Sequence, residues 1–191
     1  MKIIVIGGTG TIGKAVSDAL AAKHEVVRAS RKGPVKAEID DTASLKSLFE
    51  QVKDINAVVC CAGSAAFKPL AELTDADFQL GIKSKLMGQV NLVRVGMNYV
   101  KDGGSITLTG GVLAHEPTKG GAAISMVNAA LEGFVIGAAI EMPRGLRLNL
   151  VSPPWISETL AAFKMDPSGG IPAAACAKAY VAAIEGRYQG Q

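Results

Sequence analysis

Aromatic side chains are scarce in this chain: one Trp, three Tyr and five Phe among 191 residues. Its core must therefore be built from aliphatic residues, and a hydrophobic content of 49% supplies them. Charge is thin as well. Only 19% of residues are charged, the net charge is +3, and there is no basic tract, so the footprint of a nucleic-acid binder is absent. The three cysteines, Cys60, Cys61 and Cys176, are odd in number and have no metal-ligand spacing. No metal is expected, and Cys60 and Cys61, ending an apolar run, read as small core residues with reduced thiols. Apolar runs are short and interrupted, so no membrane-spanning segment is expected. Met1 leads straight into an apolar strand, which leaves no room for a cleaved leader. These absences point to a cytoplasmic protein, and the length fits one domain, 1–191.

Alanine and glycine are abundant, which suits close packing of helix on sheet. The glycines matter most at the start. The run Ile3 to Ile6 ends in Gly7, Gly10 and Gly13, and a small/apolar segment, Ala15 to Leu20, follows. This order reads as a buried parallel strand, a tight turn and a helix N-terminus. The first glycine permits the turn, the second lets a pyrophosphate approach the backbone, and the third lets helix and strand pack closely. The free N–H groups and the positive dipole end of the helix would face the phosphates. The alternative is a glycine turn kept for structure alone.

Farther along, strand-like and helix-like stretches alternate without a linker, the pattern of one α/β layer system. Strands are predicted near 2–6, 25–29, 35–39, 56–61, 104–109 and 146–151. Helices are predicted near 12–22, 42–52, 75–100, 121–141 and 172–185. Asp41 or Thr42 can cap the second helix, and Thr74 or Asp75 the third. Only Ser30 to Pro34 separates the second and third strands, where a parallel crossover normally carries a helix. Either this crossover is unusually tight or one of the two strands is absent. Ser168-Gly169-Gly170 predicts a mobile segment between Trp155 and Ile171.

Taken together, these signals resemble the short-chain dehydrogenases/reductases over essentially the whole chain. Gly7-Gly8-Thr9-Gly10-Thr11-Ile12-Gly13 resembles the family's cofactor loop. Cys60-Cys61-Ala62-Gly63 resembles its Asn-Asn-Ala-Gly strand end with only Ala-Gly kept. Gly104-Ser105-Ile106 opens a strand like the family's fifth. The stretch from Gly145 through Asn149 to Pro153-Pro154-Trp155-Ile156 resembles its sixth strand and the loop after it, with Pro154 in place of glycine. Tyr188-Gln189-Gly190-Gln191 resembles the start of the family's last strand, whose remainder does not follow. The resemblance implies a Rossmann-type doubly wound parallel sheet of order 3-2-1-4-5-6, with helices on both faces and a ligand across the carboxyl ends of the strands. It also implies a homodimer or homotetramer, with the stretch Ala129–Ala139 packed against its twin; plain core is the other reading of that stretch.

For the cofactor, the resemblance marks Gly7, Thr9, Gly10, Thr11, Ile12 and Gly13, then Ala62, Gly63 and Ser64, then Pro153 and Ile156. A turn cap is the other reading of Ser64. After the second strand stands Val26-Val27-Arg28-Ala29-Ser30-Arg31-Lys32, with no acid to hold ribose hydroxyls. Ser30 and Arg31 could instead pair with a 2′-phosphate, so NADP(H) is expected over NAD(H); a solvated basic loop is the rival reading. Asp40 matches the family's carboxylate near the adenine amino group, or serves as a helix cap.

The family's proton-transfer residues are missing. Its Ser falls on Gly111, its Tyr on Ile124, its Lys on Asn128 and its helix Asn on Lys85. Tyr99, Tyr180 and Tyr188 all lie outside the segment where the Tyr belongs. Lys85 shares a helix face with Gly81, Gly88 and Leu92. It could hold ribose hydroxyls or polarise a carbonyl, or it could snorkel to the surface. His115 is a second candidate for proton transfer, or a plain surface histidine. Thr109, Ser125 and Asn128 could hydrogen-bond substrate or a nicotinamide amide, and Thr109 could equally be a mere β-former. Trp155 covers the ligand cleft or packs beneath its loop, and Ala173–Ala183 reads as an amphipathic helix alone. Two functions stay open. One is an NADP(H)-dependent oxidoreductase acting on a small carbonyl or alcohol with an altered site. The other is a nucleotide-binding sensor or regulatory protein that does no chemistry.

Overall fold

The structure, a computed structural model, describes all residues from Met1 to Gln191. Its centre is a six-stranded sheet of order β3-β2-β1-β4-β5-β6, formed by β1 (Lys2–Ile6), β2 (Glu25–Ser30), β3 (Val35–Lys36), β4 (Ala57–Cys60), β5 (Ser105–Thr109) and β6 (Arg147–Val151). Every neighbouring pair is parallel. Parallel strands covered on both faces read as continuous apolar runs, and alternate residues of β1 do enter different cores. Ile4 and Ile6 join a cluster of 23 buried residues, and Ile3 and Val5 join one of 12 on the other face.

Helices cover both faces. On one side α1 (Thr11–Ala21) packs on α7 (Ala173–Glu185). On the other lie α2 (Thr42–Gln51), α4 (Gly88–Gly96) and α5 (Ala122–Ala139), which contribute Leu45, Leu92 and Leu131 to the larger cluster. Asp41 caps α2 through Ala43 N–H (2.8 Å). Thr74 opens α3 (Asp75–Leu80) in a capping box with Asp77.

Two expectations need correction, one open alternative is resolved, and one segment gains detail. The helix expected over 75–100 is interrupted by a π-helical segment, Gly81–Met87, between α3 and α4, and the helix ends at Gly96. β3 is two residues long rather than five, because the chain turns at Glu38–Asp41 toward the α2 cap and Ile39 drops into the core against Gly88. Both strands flanking Ser30–Pro34 exist, so the crossover is the tight one: a turn returns Val35 to pair beside Ala29. The segment after Trp155 carries a short helix, α6 (Ser157–Ala162), and its base is stapled. Ile156 and Ile171 form a bridge, Ser157 N–H donates to Ile171 O (2.9 Å), and Ile171 N–H donates to Trp155 O (2.9 Å).

At the far edge, the tail runs beside β6. Gly190 N–H donates to Leu148 O (2.9 Å) and Leu150 N–H to Gln191 O (2.6 Å), as a strand added there would begin. One helix, α5, meets the length and composition of a membrane span, at 18 residues and mean hydropathy 1.6, which the sequence reading had not expected. A stripe of it, Ala123, Val127, Leu131, Val135 and Ala139, is nonetheless buried against the sheet side of the fold. Its outer face, with Met126, Gly133, Ile136 and Gly137, is exposed, so this stretch is not plain core.

Candidate functional site

Two clefts meet over the carboxyl ends of the strands, where β1 and β4 lie side by side and their connections leave in opposite directions. Cys61, Ala62 and Gly63, at the end of β4, line both. This is the switch point at which doubly wound sheets take their ligands.

The turn between β1 and α1 forms one wall of the first cleft. Gly7 has φ +77°, and a Cβ there would meet the Cys61 carbonyl carbon at 2.8 Å. A Cβ on Gly13 would stand 2.1 Å from Gly7 O, so α1 rests directly on the turn. Gly10 is the N-cap of α1 and offers no side chain to the helix end. The N–H groups of Thr11, Ile12 and Gly13 therefore have no acceptor within the fold, and they form an electropositive helix start beside the cleft.

The first cleft, of about 470 Å³, is lined by Gly7, Thr9, Gly10, Ser30, Arg31 and Lys32, by Asp40, and by Ser64 with Ser84. Ser64 N–H donates to Ser84 Oγ (3.2 Å), which ties the end of β4 to the π-helical segment. Ser30 Oγ is buried without a partner. Arg28, on β2, is bound to Asp18 of α1, and Arg31 and Lys32, just after the strand, are the cations at the cleft. Glu38 also lines it and was not recognised in the sequence. Desolvation and the neighbouring Asp40 raise its pKa above the ordinary carboxylate value. Only the turn after the short β3 brings Glu38 here, and no motif marks it.

The second cleft, of about 300 Å³, lies between Ile12, the end of β5, the start of α5 and the loop after β6. Its floor holds Lys85, from the π-helical segment. Lys85 Nζ donates to Gly110 O (3.1 Å) and Thr109 O (3.4 Å). No carboxylate pairs with it, and burial pushes its pKa below the ordinary lysine value. It does not snorkel to the surface. Gln89, fully buried, braces this arrangement: Nε2 donates to Thr109 O (3.0 Å) and Lys85 O (3.1 Å), and Oε1 accepts Thr109 N–H (2.8 Å). Gln89 had no sequence signal beyond its place on a helix. Pro153 and Ile156 line this cleft, as do Gly111, Ile124 and Asn128, the positions on which the resemblance would place the Ser, Tyr and Lys. Asn128 Nδ2 donates to Gly111 O (3.1 Å), while its Oδ1 is buried and unpartnered.

Other candidates are held elsewhere. Thr109 lines the cleft, yet its hydroxyl contacts Cys60 O (2.5 Å) and Tyr180 Oη (2.8 Å) in a buried network; this side chain links β5, β4 and α7. Tyr180 is fully buried, and desolvation holds its phenol well above its ordinary pKa. Helix α7 thus supplies a polar tie as well as an apolar face. Burial raises Cys60 to about 11, so its thiol stays protonated near neutral pH. His115 is not brought to either cleft. It sits 72% exposed, with Nε2 2.6 Å from Glu132 Oε2. Ser125 is half-buried on α5 and lines neither cleft.

A family model described as enoyl-(acyl carrier protein) reductase matches residues 8–183. A short-chain dehydrogenase/reductase of Penicillium rubens, prx4, is 25% identical over 198 residues, covering 91% of this chain and 59% of its own length. The chain belongs to the short-chain dehydrogenases/reductases. Across the curated relatives it matches, this reductase-family chain spans 51% to 74% of their length. Two solved structures cover it fully. The protein lin1944 from Listeria innocua is 41% identical with a TM-score of 0.94, and 96% of it is covered. A small-chain dehydrogenase in complex with NADPH is 26% identical with a TM-score of 0.86, and 94% of it is covered.

The buried Lys85 has a consequence for stability. Its folded pKa is depressed, so the unfolded chain binds more protons between that value and the ordinary 10.5. Stability therefore rises with pH across that window. Comparing wild type with Lys85→Met, the Tm difference should move in favour of wild type between pH 7 and pH 10. A difference that does not change with pH would show that Lys85 is solvated in the folded state.

Proposed function

We propose that this chain is an NADP(H)-dependent oxidoreductase that interconverts a small carbonyl and its alcohol, with Lys85 in place of the family's usual proton-transfer residues. The residues present fit a nicotinamide dinucleotide. The N–H groups of Thr11, Ile12 and Gly13 can take its pyrophosphate, and the Gly7 cradle leaves no room for a side chain that would block it. Arg31, Lys32 and the unpartnered Ser30 hydroxyl favour a 2′-phosphate. Asp40 and Glu38 stand ready for the adenine side of the same cleft. Ala62, Gly63 and Ser64 would flank the ribose, and Pro153 and Ile156 the nicotinamide end. The NADPH complex of the structural relative supports this choice.

The bound nicotinamide would supply or accept hydride, and the protein must handle the proton. Lys85 carries the reading: a buried ammonium without a counter-charge, at the floor of the cleft that adjoins the nucleotide cleft. Two of its three protons are directed to Gly110 O and Thr109 O, and the third is free for a substrate oxygen. As hydride reaches the carbonyl carbon, the oxygen gains negative charge. The Lys85 ammonium stabilises that charge and gives the oxygen a proton, which solvent later restores to the lysine. The Gly110 and Thr109 carbonyls fix the direction of Nζ, and Gln89 fixes Thr109. His115, exposed and paired with Glu132, is left out of this mechanism.

The exposed face of α5, with Met126, Ile136 and two glycines, is proposed to be covered by a second copy of the chain. Sedimentation should give a dimer or tetramer, and Ile136→Lys should shift it toward monomer; a wild-type monomer at all concentrations refutes the assignment.

Two substitutions test the chemistry. Lys85→Met should lower carbonyl-dependent NADPH oxidation by about 10²-fold or more while NADPH still binds. In wild type, reduction should decline as pH rises through the lowered Lys85 pKa, because the protonated form is the active one. Lys85→Arg, permanently charged, should lose that alkaline limb. Unchanged turnover in Lys85→Met removes the lysine from the mechanism. Tight NADPH binding with no turnover on a broad carbonyl panel assigns the chain instead to the sensor class.

Arg31→Asp should weaken NADPH binding by roughly 10- to 100-fold and bring NADH level with it, as read by calorimetry. An unchanged preference would exclude Arg31 as the 2′-phosphate contact.

A further inference from the structure

We infer that the cleft over Lys85 takes an uncharged carbonyl compound bearing an aryl group, rather than a polyol, a sugar or an anionic acyl compound. The inference rests on the reading of this cleft as a carbonyl-reducing site. Three observations carry it.

The first is where the scarce aromatics stand. Phe49 and Tyr180 are fully buried. The sole Trp, Trp155, and two Phe gather at the second cleft instead. Phe67 meets Trp155 edge-on at 5.8 Å, with planes at 87°. Phe67 and Phe163 lie nearly parallel, with 3° between planes and 6.3 Å between centroids. Phe67 is 37% exposed and Phe163 56%. Leaving aromatic surface in water is unfavourable unless something covers it, and a flat ring suits this group by stacking or edge contact.

The second is how these rings are held. Trp155 and Phe163 lie on the excursion between β6 and α7, whose base is joined by the Ile156–Ile171 bridge. The Glu158 carboxylate also accepts Ala173 N–H at the start of α7 (3.0 and 3.1 Å). Phe67 approaches from the loop after β4. Independent segments therefore converge on one mouth.

The third is the polarity inside. Ile12, Val112, Leu113 and Ile124 line the walls, and Lys85 is the only charged residue among the lining groups. The Thr109 hydroxyl is committed to Cys60 and Tyr180, and Asn128 Nδ2 to Gly111. A polyol would leave several hydroxyls unpaired against apolar walls, which is costly. A carboxylate or phosphate tail would find no second cation. One oxygen at Lys85 and an aryl body among the rings match what is offered.

Trp155 makes a direct test possible, because it is the only tryptophan and its emission reports this cleft alone. The probe is 4-nitroacetophenone, a quenching aryl ketone, added to protein saturated with NADP⁺ so that no turnover occurs. Saturable quenching is expected, weakened about tenfold in Phe163→Ala. Phe163 is exposed, so the variant should fold, and its circular dichroism and Tm verify this. With NADPH, acetophenone should be reduced faster than D-ribose or D-glucose. Quenching that does not saturate, equal affinity in Phe163→Ala, or faster reduction of the aldoses overturns the inference. If an aldose is reduced and acetophenone is not, the aryl assignment falls and the reductase reading stands. If the nitroaryl ketone saturates but no carbonyl is reduced, the ligand class stands and the reductase reading falls.

Discussion

Three stretches of main chain pass through one point at the top of the sheet, and much of the molecule follows from how closely they do so. The start of α1 lies against the Gly7 carbonyl, and Gly7 lies against the Cys61 carbonyl. Side chains at Gly7 or Gly13 would separate the turn from either the helix or β4. With them absent, the first turn of α1 presents its free N–H groups where β1 and β4 end. Cys61, Ala62 and Gly63 then become a ridge shared by two clefts. One cleft is polar, with cations and carboxylates at its rim; the other is apolar with a lysine at its floor. This placement sets the two clefts side by side along that ridge, as the proposed meeting of a dinucleotide and a carbonyl compound requires.

The second organising feature is the π-helical segment. A helix that gains an extra residue in one turn changes which side chains face its neighbours. Here that segment holds Lys85, and its carbonyl is taken up by Gln89. The same glutamine reads the Thr109 main chain at both N–H and C=O, so the long helix and the end of β5 are fixed together. A buried ammonium is costly to desolvate. Two carbonyls offset part of that cost without cancelling the charge, and a carboxylate would have cancelled it. The residual charge is what the proposed role of Lys85 draws on.

The sparing use of aromatics is consistent with both features. Close packing of helices on the sheet relies on Gly and Ala, with aliphatic residues filling the larger spaces. Gly88 shows how close: a Cβ there would meet Ile39 at 2.2 Å. Large rings fit such a scaffold poorly except at its margins, and three of them stand at one cleft. Phe49 and Tyr180 are the exceptions within the core, and the Tyr180 phenol is satisfied by Thr109.

The sequence by itself determined most strand positions and the glycine turn, because these depend on local spacing, while the sheet order followed from its resemblance to the short-chain dehydrogenases/reductases. Apolar runs of strand length, glycines at Gly7, Gly10 and Gly13, and the Ala62-Gly63 pair each act through their own backbone. Arg31 and Asp40 were named because they lie just beyond strands, and both line the first cleft. The tertiary structure decided what depends on contacts between distant segments. It buried Lys85 where a surface position was equally compatible with the pattern, took His115 away to Glu132, and engaged the Thr109 hydroxyl with Tyr180, 71 residues away. It also brought in Glu38 and Gln89, which no motif marks, and gathered Phe67 from one segment with Trp155 and Phe163 from another. A side chain's partners and burial are set by what packs against it, and helical or strand periodicity carries no record of that.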